Sequence, residues 1–205
     1  HILAQVSGAL AEAHGIGLIH RDVKPANLML CDRGGVKDVV KVVDFGLIQD
    51  LERKDGAVTH SEVRAIVGTP LYLSPEALTA PEAMDGRSDL YALGAVGYFL
   101  LTGAPPFTGE GLLEVCAHHL HIAPVPPSRR TAARVPPELE RLILSCLDKS
   151  PAARPTSAAE LQAALLPLAA EWRAESAERW WSEHVGGRGR DGVGASASRA
   201  LPPAG

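Results

Sequence analysis

His20-Arg21-Asp22-Val23-Lys24-Pro25-Ala26-Asn27 is the stretch on which the reading of this 205-residue chain turns. It sets a carboxylate, an ammonium and a carboxamide at fixed intervals, and Pro25 restricts the backbone between Lys24 and Asn27. Upstream, Ile2, Leu3, Val6, Ala9, Leu10 and Ala13 recur at helical spacing, and Gly15 and Gly17 end the pattern. Downstream, Leu28-Met29-Leu30 and Val39-Val40-Lys41-Val42-Val43 read as short strands. Asp32-Arg33-Gly34-Gly35 is a strong turn signal between them. Asp44-Phe45-Gly46 follows, its aspartate 22 positions beyond Asp22.

The bulk properties narrow the class. A hydrophobic content of 46% supplies a core for one domain of ordinary size. A net charge of -4 argues against a nucleic-acid footprint and against a polybasic membrane surface. Cys31, Cys116 and Cys146 are scattered and include no C-x-x-C pair, so a reduced, cytoplasmic setting is expected. The longest apolar run, Leu90 to Leu101, falls short of the roughly 20 residues of a membrane span and reads as a buried central helix.

Residues 47 to 70 are polar and aperiodic, which predicts a long functional loop. Ser88 is expected to cap the apolar helix from Asp89, and Gly103 to stop it. Further helices are predicted from Leu112 to Leu120, from Pro136-Pro137 onward, and after a capping box at Ser157 to Glu160. Pro167 interrupts that last helix or starts a new one. Trp172, Trp180 and Trp181 predict an amphipathic tail helix over residues 167–185, and residues 186–205 have the composition of a disordered tail. His118, His119 and His121 lack a carboxylate or Cys at ligand spacing, so no metal site is expected there.

The His20 to Asn27 and Asp44 to Gly46 motifs together resemble the catalytic and metal-binding loops of the bacterial, eukaryotic-like serine/threonine protein kinases. Gly68-Thr69-Pro70-Leu71-Tyr72-Leu73-Ser74-Pro75-Glu76 resembles the segment closing the activation loop, with Ser74 where the family more often has Ala. Pro151-Ala152-Ala153-Arg154-Pro155-Thr156 is similar to the family's distal arginine motif. The resemblance covers residues 1–166 and implies an α+β, mostly α-helical protein-kinase-like fold, of which only the large C-terminal lobe is represented.

The resemblance implies a role for each matching residue. Asp22 is the catalytic base, Lys24 lies near the γ-phosphate of ATP, and Asn27 and Asp44 ligate Mg²⁺ or Mn²⁺. A Lys at position 24 is the Ser/Thr-kinase pattern. Thr69 bonds Asp22 and Lys24 and shapes the site for protein substrates, and Met29 lies under the adenine. His20 and Phe45 belong to an internal apolar stack, Glu76 pairs with Arg154, and Asp89 holds the catalytic loop while also suiting the start of its own helix. Arg21 awaits a phosphate on the long loop, with Thr59 and Ser61 as acceptors.

The family also carries a small N-terminal lobe, with a Gly-rich phosphate loop, a strand Lys and a helix Glu. No such segments occur here, and Gly34-Gly35 is a turn rather than a phosphate loop. The expectation is a fragment of a longer kinase, inert alone, whose partner is the missing lobe of its own parent chain. The alternative is a stand-alone lobe acting as a non-catalytic scaffold.

Overall fold

Helix α1, Ile2–Gly15, buries Val6, Leu10 and Ala13 along one stripe and Ala4 on the opposite face, and these side chains seat it on the rest of the molecule. The computed structural model describes residues 1–45, 70–170, 172–184 and 198–200. The expected loop over residues 47 to 70, with Thr59, Ser61 and Thr69, lies outside the described residues as far as Thr69.

After α1 the chain forms a hairpin of β1, Leu28–Arg33, and β2, Val36–Val42. The turn residues Gly34 and Gly35 both have positive φ, 60° and 85°, as a two-residue hairpin turn matching strand twist requires. Leu28 pairs with Val42 and Arg33 with Val36, and the register shifts between Cys31 and Arg33.

The remaining described elements are mostly helical: α2 Pro75–Thr79, α3 Gly86–Thr102, α4 Leu112–His121, α5 Pro137–Cys146, α6 Ala158–Ala169 and α7 Ala174–His184. Every residue of α3 from Ser88 to Phe99 is buried, which makes it the central post of the core. Its apolar residues pack with α1, the hairpin, α5, α6 and Trp181 in one cluster. Gly103 ends α3 at φ 74°.

Four expectations need correction. The cap of α3 is Asp85, whose carboxylate accepts from the Arg87 N–H at 2.8 Å; Ser88 sits inside the first turn and donates to Glu76 instead. Both residue types cap well, and the Ser88 hydroxyl is engaged by the Glu76 carboxylate at 2.6 Å. At α6 only half of a capping box forms: Ser157 accepts from Glu160 N–H, while the Glu160 carboxylate turns to Thr156. Helix α6 also runs through Pro167 to Ala169, because a proline in a last turn forfeits a single bond. The tail helix therefore begins only at Ala174, with Trp172 ahead of it. Finally, Ser198–Ala200 form a strand, β3, antiparallel to β1, giving the order β2-β1-β3. The open edge of β1 offers unpaired N–H and C=O groups, and these three residues of the stretch 186–205 pair with it.

Candidate active site

Asp89 lies in the first turn of α3 and is 1% exposed. A buried carboxylate is costly unless its oxygens are bonded. Here Oδ2 accepts from the backbone N–H of His20 and Oδ1 from that of Arg21, both at 2.8 Å. His14 Nε2, from the end of α1, lies 2.8 Å from Oδ2. Arg21 has φ 65°, a strained conformation for a non-glycine residue, and the bond its N–H donates to Asp89 holds it there. Helix α3 thereby fixes the loop that carries Asp22.

His20 links this loop to the strand exit. Its buried ring accepts at Nδ1 from the Asp22 N–H at 3.3 Å and meets the Val43 carbonyl through Nε2 at 3.0 Å, which fixes the Nε2–H tautomer. The ring also packs on Phe45 at 4.5 Å between centroids.

Three side chains converge beyond that ring. Lys24 Nζ lies 2.7 Å from Asp22 Oδ2. Asn27 Nδ2 donates to the Asp22 carbonyl at 2.8 Å and to its Oδ2 at 3.0 Å, leaving Oδ1 of the amide as an acceptor. The Asp22 side chain is half exposed, at 52%, so a hydroxyl from outside can reach it. Asp44, exposed and at φ 58°, follows Val43, whose N–H donates to the Asn27 carbonyl at 3.0 Å. Asn27 and Asp44 therefore flank the base of the hairpin. Met29, the second residue of β1, is partly buried and pairs with Lys41.

Arg154, 3% exposed, uses all of its nitrogens. Nη1 and Nη2 bond the two carboxylate oxygens of Glu76 at 2.6 and 2.8 Å, and the carbonyls of Arg87, Asp148 and Lys149 take the other N–H groups. Burial alone would raise the Glu76 carboxyl, but the bonds from Arg154 and Ser88 outweigh it and hold the group below its ordinary value. The pair ties α2, and the Pro70–Tyr72 turn ahead of it, to the first turn of α3.

The sequence singled out neither His14 nor Ser88 as partners of this framework. His14 has a faint signal, a histidine in the closing turn of a helix that leads into the His20 loop. His119, weighed in the sequence only as a metal ligand, is buried against Tyr91. The expected partners of Arg21, Thr59 and Ser61, and the substrate-site Thr69 lie outside the described residues. No helix among the described residues is long and apolar enough to cross a membrane.

The protein kinase domain family matches residues 1–166. The chain is 45% identical over 167 residues to the serine/threonine-protein kinase pkn3 of Myxococcus xanthus, covering 79% of this chain and 30% of that protein. It is 45% identical over 165 residues to the serine/threonine-protein kinase PknB of Mycolicibacterium smegmatis, and 40% identical over 165 residues to that of Mycobacterium tuberculosis. Each of these two alignments covers 80% of this chain and 25% of the relative. The chain thus spans between a quarter and a third of the length of these curated relatives. With the His20 to Asn27 loop and Asp44 placed as above, the chain belongs to the protein kinase domain family.

Proposed function

We propose that the protein transfers the γ-phosphoryl group of ATP to serine or threonine hydroxyls of protein substrates. The observation that carries this reading is the convergence of Lys24 and Asn27 on the half-exposed carboxylate of Asp22. Asp22 accepts the proton of the substrate hydroxyl, whose oxygen attacks the γ-phosphorus as the bond to the β-γ bridging oxygen breaks and ADP leaves. Lys24 meets the negative charge of the transferring group. Asn27 and Asp44 offer the hard oxygen donors that Mg²⁺ or Mn²⁺ takes beside phosphates. The bound ion supplies charge neutralisation on the phosphate oxygens.

In this reading residues 1–166 are the large lobe of the kinase fold, Met29 floors the adenine, and the small lobe is the partner that completes the nucleotide pocket. Thr69 completes the substrate site. Phosphate on Thr59 or Ser61 orders the loop before Thr69 through Arg21. The names of the relatives support serine/threonine rather than tyrosine as acceptor.

The test is phosphoamino-acid analysis of a generic protein substrate after incubation with γ-labelled ATP and Mg²⁺. The enzyme is expressed with whatever coding sequence is contiguous with residues 1–205. Label is expected on serine and threonine and is expected to vanish with a chelator. Label on tyrosine alone, or none, would refute the assignment.

A further inference from the structure

Asp38 stands in the middle of β2 with φ 57° and a carboxylate that is 5% exposed, two conditions that a strand residue ordinarily avoids. The pairing explains the backbone. Cys31 faces Val39 and Arg33 faces Val36, so Lys37 and Asp38 oppose Asp32 alone, and Asp38 belongs to a β-bulge. The tail explains the carboxylate. Oδ2 accepts from the indole N–H of Trp172 at 2.9 Å and Oδ1 from that of Trp181 at 2.6 Å, across 134 and 143 positions of chain. An ionised carboxylate only accepts and an indole only donates, so the three groups are matched.

The rest of the bulge is equally occupied. The Asp38 carbonyl accepts from Gln5 Nε2 of α1 at 2.7 Å, and Gln5 Oε1 accepts from the Val40 N–H at 3.0 Å. Lys37 Nζ lies over the Trp181 ring at 5.4 Å. Trp181 itself is 4% exposed and packs in the cluster that holds Leu28, Leu30, Val40 and Val42. Without the tail, the bulge would keep a carboxylate stripped of both donors beside an apolar cluster.

We propose that Asp38, Trp172 and Trp181 form a clasp by which the C-terminal segment sets the hairpin, and through it the spacing of Asn27 and Asp44. The path is short. Val42, four positions beyond Asp38, pairs with Leu28, and the next rung runs from Val43 N–H to the Asn27 carbonyl. A bulge governs local strand twist, so its occupancy is felt at the strand ends. The three are positioning residues, and their importance for nucleotide rests on the reading of Asn27 and Asp44 as metal ligands.

The clasp is tested in the 205-residue chain by amide hydrogen exchange and acrylamide quenching of tryptophan. Trp172→Phe/Trp181→Phe keeps two rings but removes both donors; Asp38→Asn keeps the shape but sets an NH₂ group against one indole. Exchange at Val40 to Val43 is expected to quicken by about tenfold or more in both variants, while α3 amides stay protected and show the fold intact. Trp181 should also become more accessible to quencher in Asp38→Asn. Unchanged exchange at Val40 to Val43 in both variants would overturn the clasp, as would a Trp181 equally shielded without the carboxylate. In the active enzyme the same variants should raise KM for MgATP severalfold and leave KM for the protein substrate in place; an unmoved KM for MgATP would overturn the link to Asn27 and Asp44. If the wild-type enzyme transfers no phosphate while the exchange result holds, the kinase reading fails and the clasp stands.

Discussion

Nδ1 of His119 and the hydroxyl of Tyr91 lie 2.9 Å apart in the interior, joining α4 to the central helix α3. Both residues are fully buried, and Phe107 meets the imidazole edge-on at 4.9 Å. Burial, and then the charge of Lys149, push His119 down to about 3. In the unfolded chain the imidazole titrates near 6.5. Its contribution to stability is therefore complete above pH 6.5 and is lost as pH falls from 6.5 toward 3. One proton corresponds to about 1.4 kcal/mol per pH unit, hence about 2 kcal/mol between pH 6.5 and pH 5. Urea unfolding of His119→Phe should show a shallower slope than the wild type across that interval. Parallel slopes would show that His119 charges in the folded state.

The Glu76–Arg154 pair predicts a larger loss. Arg154→Met takes both guanidinium bonds from the Glu76 carboxylate and frees three carbonyls. Stability is expected to fall by roughly 3–5 kcal/mol, the range for breaking a buried pair on one side. Because Glu76 is held below its ordinary value, its contribution is present above the unfolded carboxylate pKa and lost as pH falls through the folded one. The difference between wild type and Arg154→Met should therefore narrow in acid. A denaturant midpoint unaffected at neutral pH would contradict the pair's structural role.

Helix α3 touches α5 closely where it lacks side chains. A Cβ on Gly94 would stand 2.6 Å from the Cβ of Cys146 and 3.3 Å from the Ile143 carbonyl. On Gly97 it would meet the flexible tip of Leu3 at 2.9 Å. Gly94→Ala is expected to cost about 1–3 kcal/mol by overpacking, and Gly97→Ala clearly less. Thermal unfolding of the two variants checks the order, and equal effects would count against it.

The hydrogen bonds around Asp89 predict a kinetic effect. Asp89→Asn leaves one carboxamide oxygen for the N–H groups of His20 and Arg21, so Asp22 loses its fixed position. A drop in kcat of roughly 10- to 100-fold is expected, the scale of a misplaced catalytic group. Faster exchange of the Arg21 amide should accompany it. Unchanged kcat with a loosened Arg21 amide would separate the loop's order from its chemistry.

Much of this was legible in the residues because it is local. The period of α1, the Gly34-Gly35 turn, the strands beside it and the buried run of α3 each follow from spacing or backbone preference within a few positions. The choice of cap at α3 was missed because Asp85 and Ser88 are both good cap residues, and which one wins depends on Glu76 drawing Ser88 away. The Asp38 clasp was not readable at all. A carboxylate in a strand and two tryptophans in a tail acquire their meaning only when a bulge and a helix bring them together across 134 and 143 positions. At the site, the motif order placed Asp22, Lys24 and Asn27 together, whereas His14 entered only through its contact with Asp89.

The most direct measurement is the rate of phosphoryl transfer from ATP to a serine/threonine substrate by Asp22→Asn. It is made in the enzyme expressed with all coding sequence contiguous with residues 1–205, beside the wild type. The asparagine keeps the size of the side chain and removes its ability to take a proton. The account predicts a fall in kcat of about 100-fold or more, with unfolding stability and KM for MgATP little changed. Transfer at the wild-type rate would contradict the assignment of Asp22 as the base.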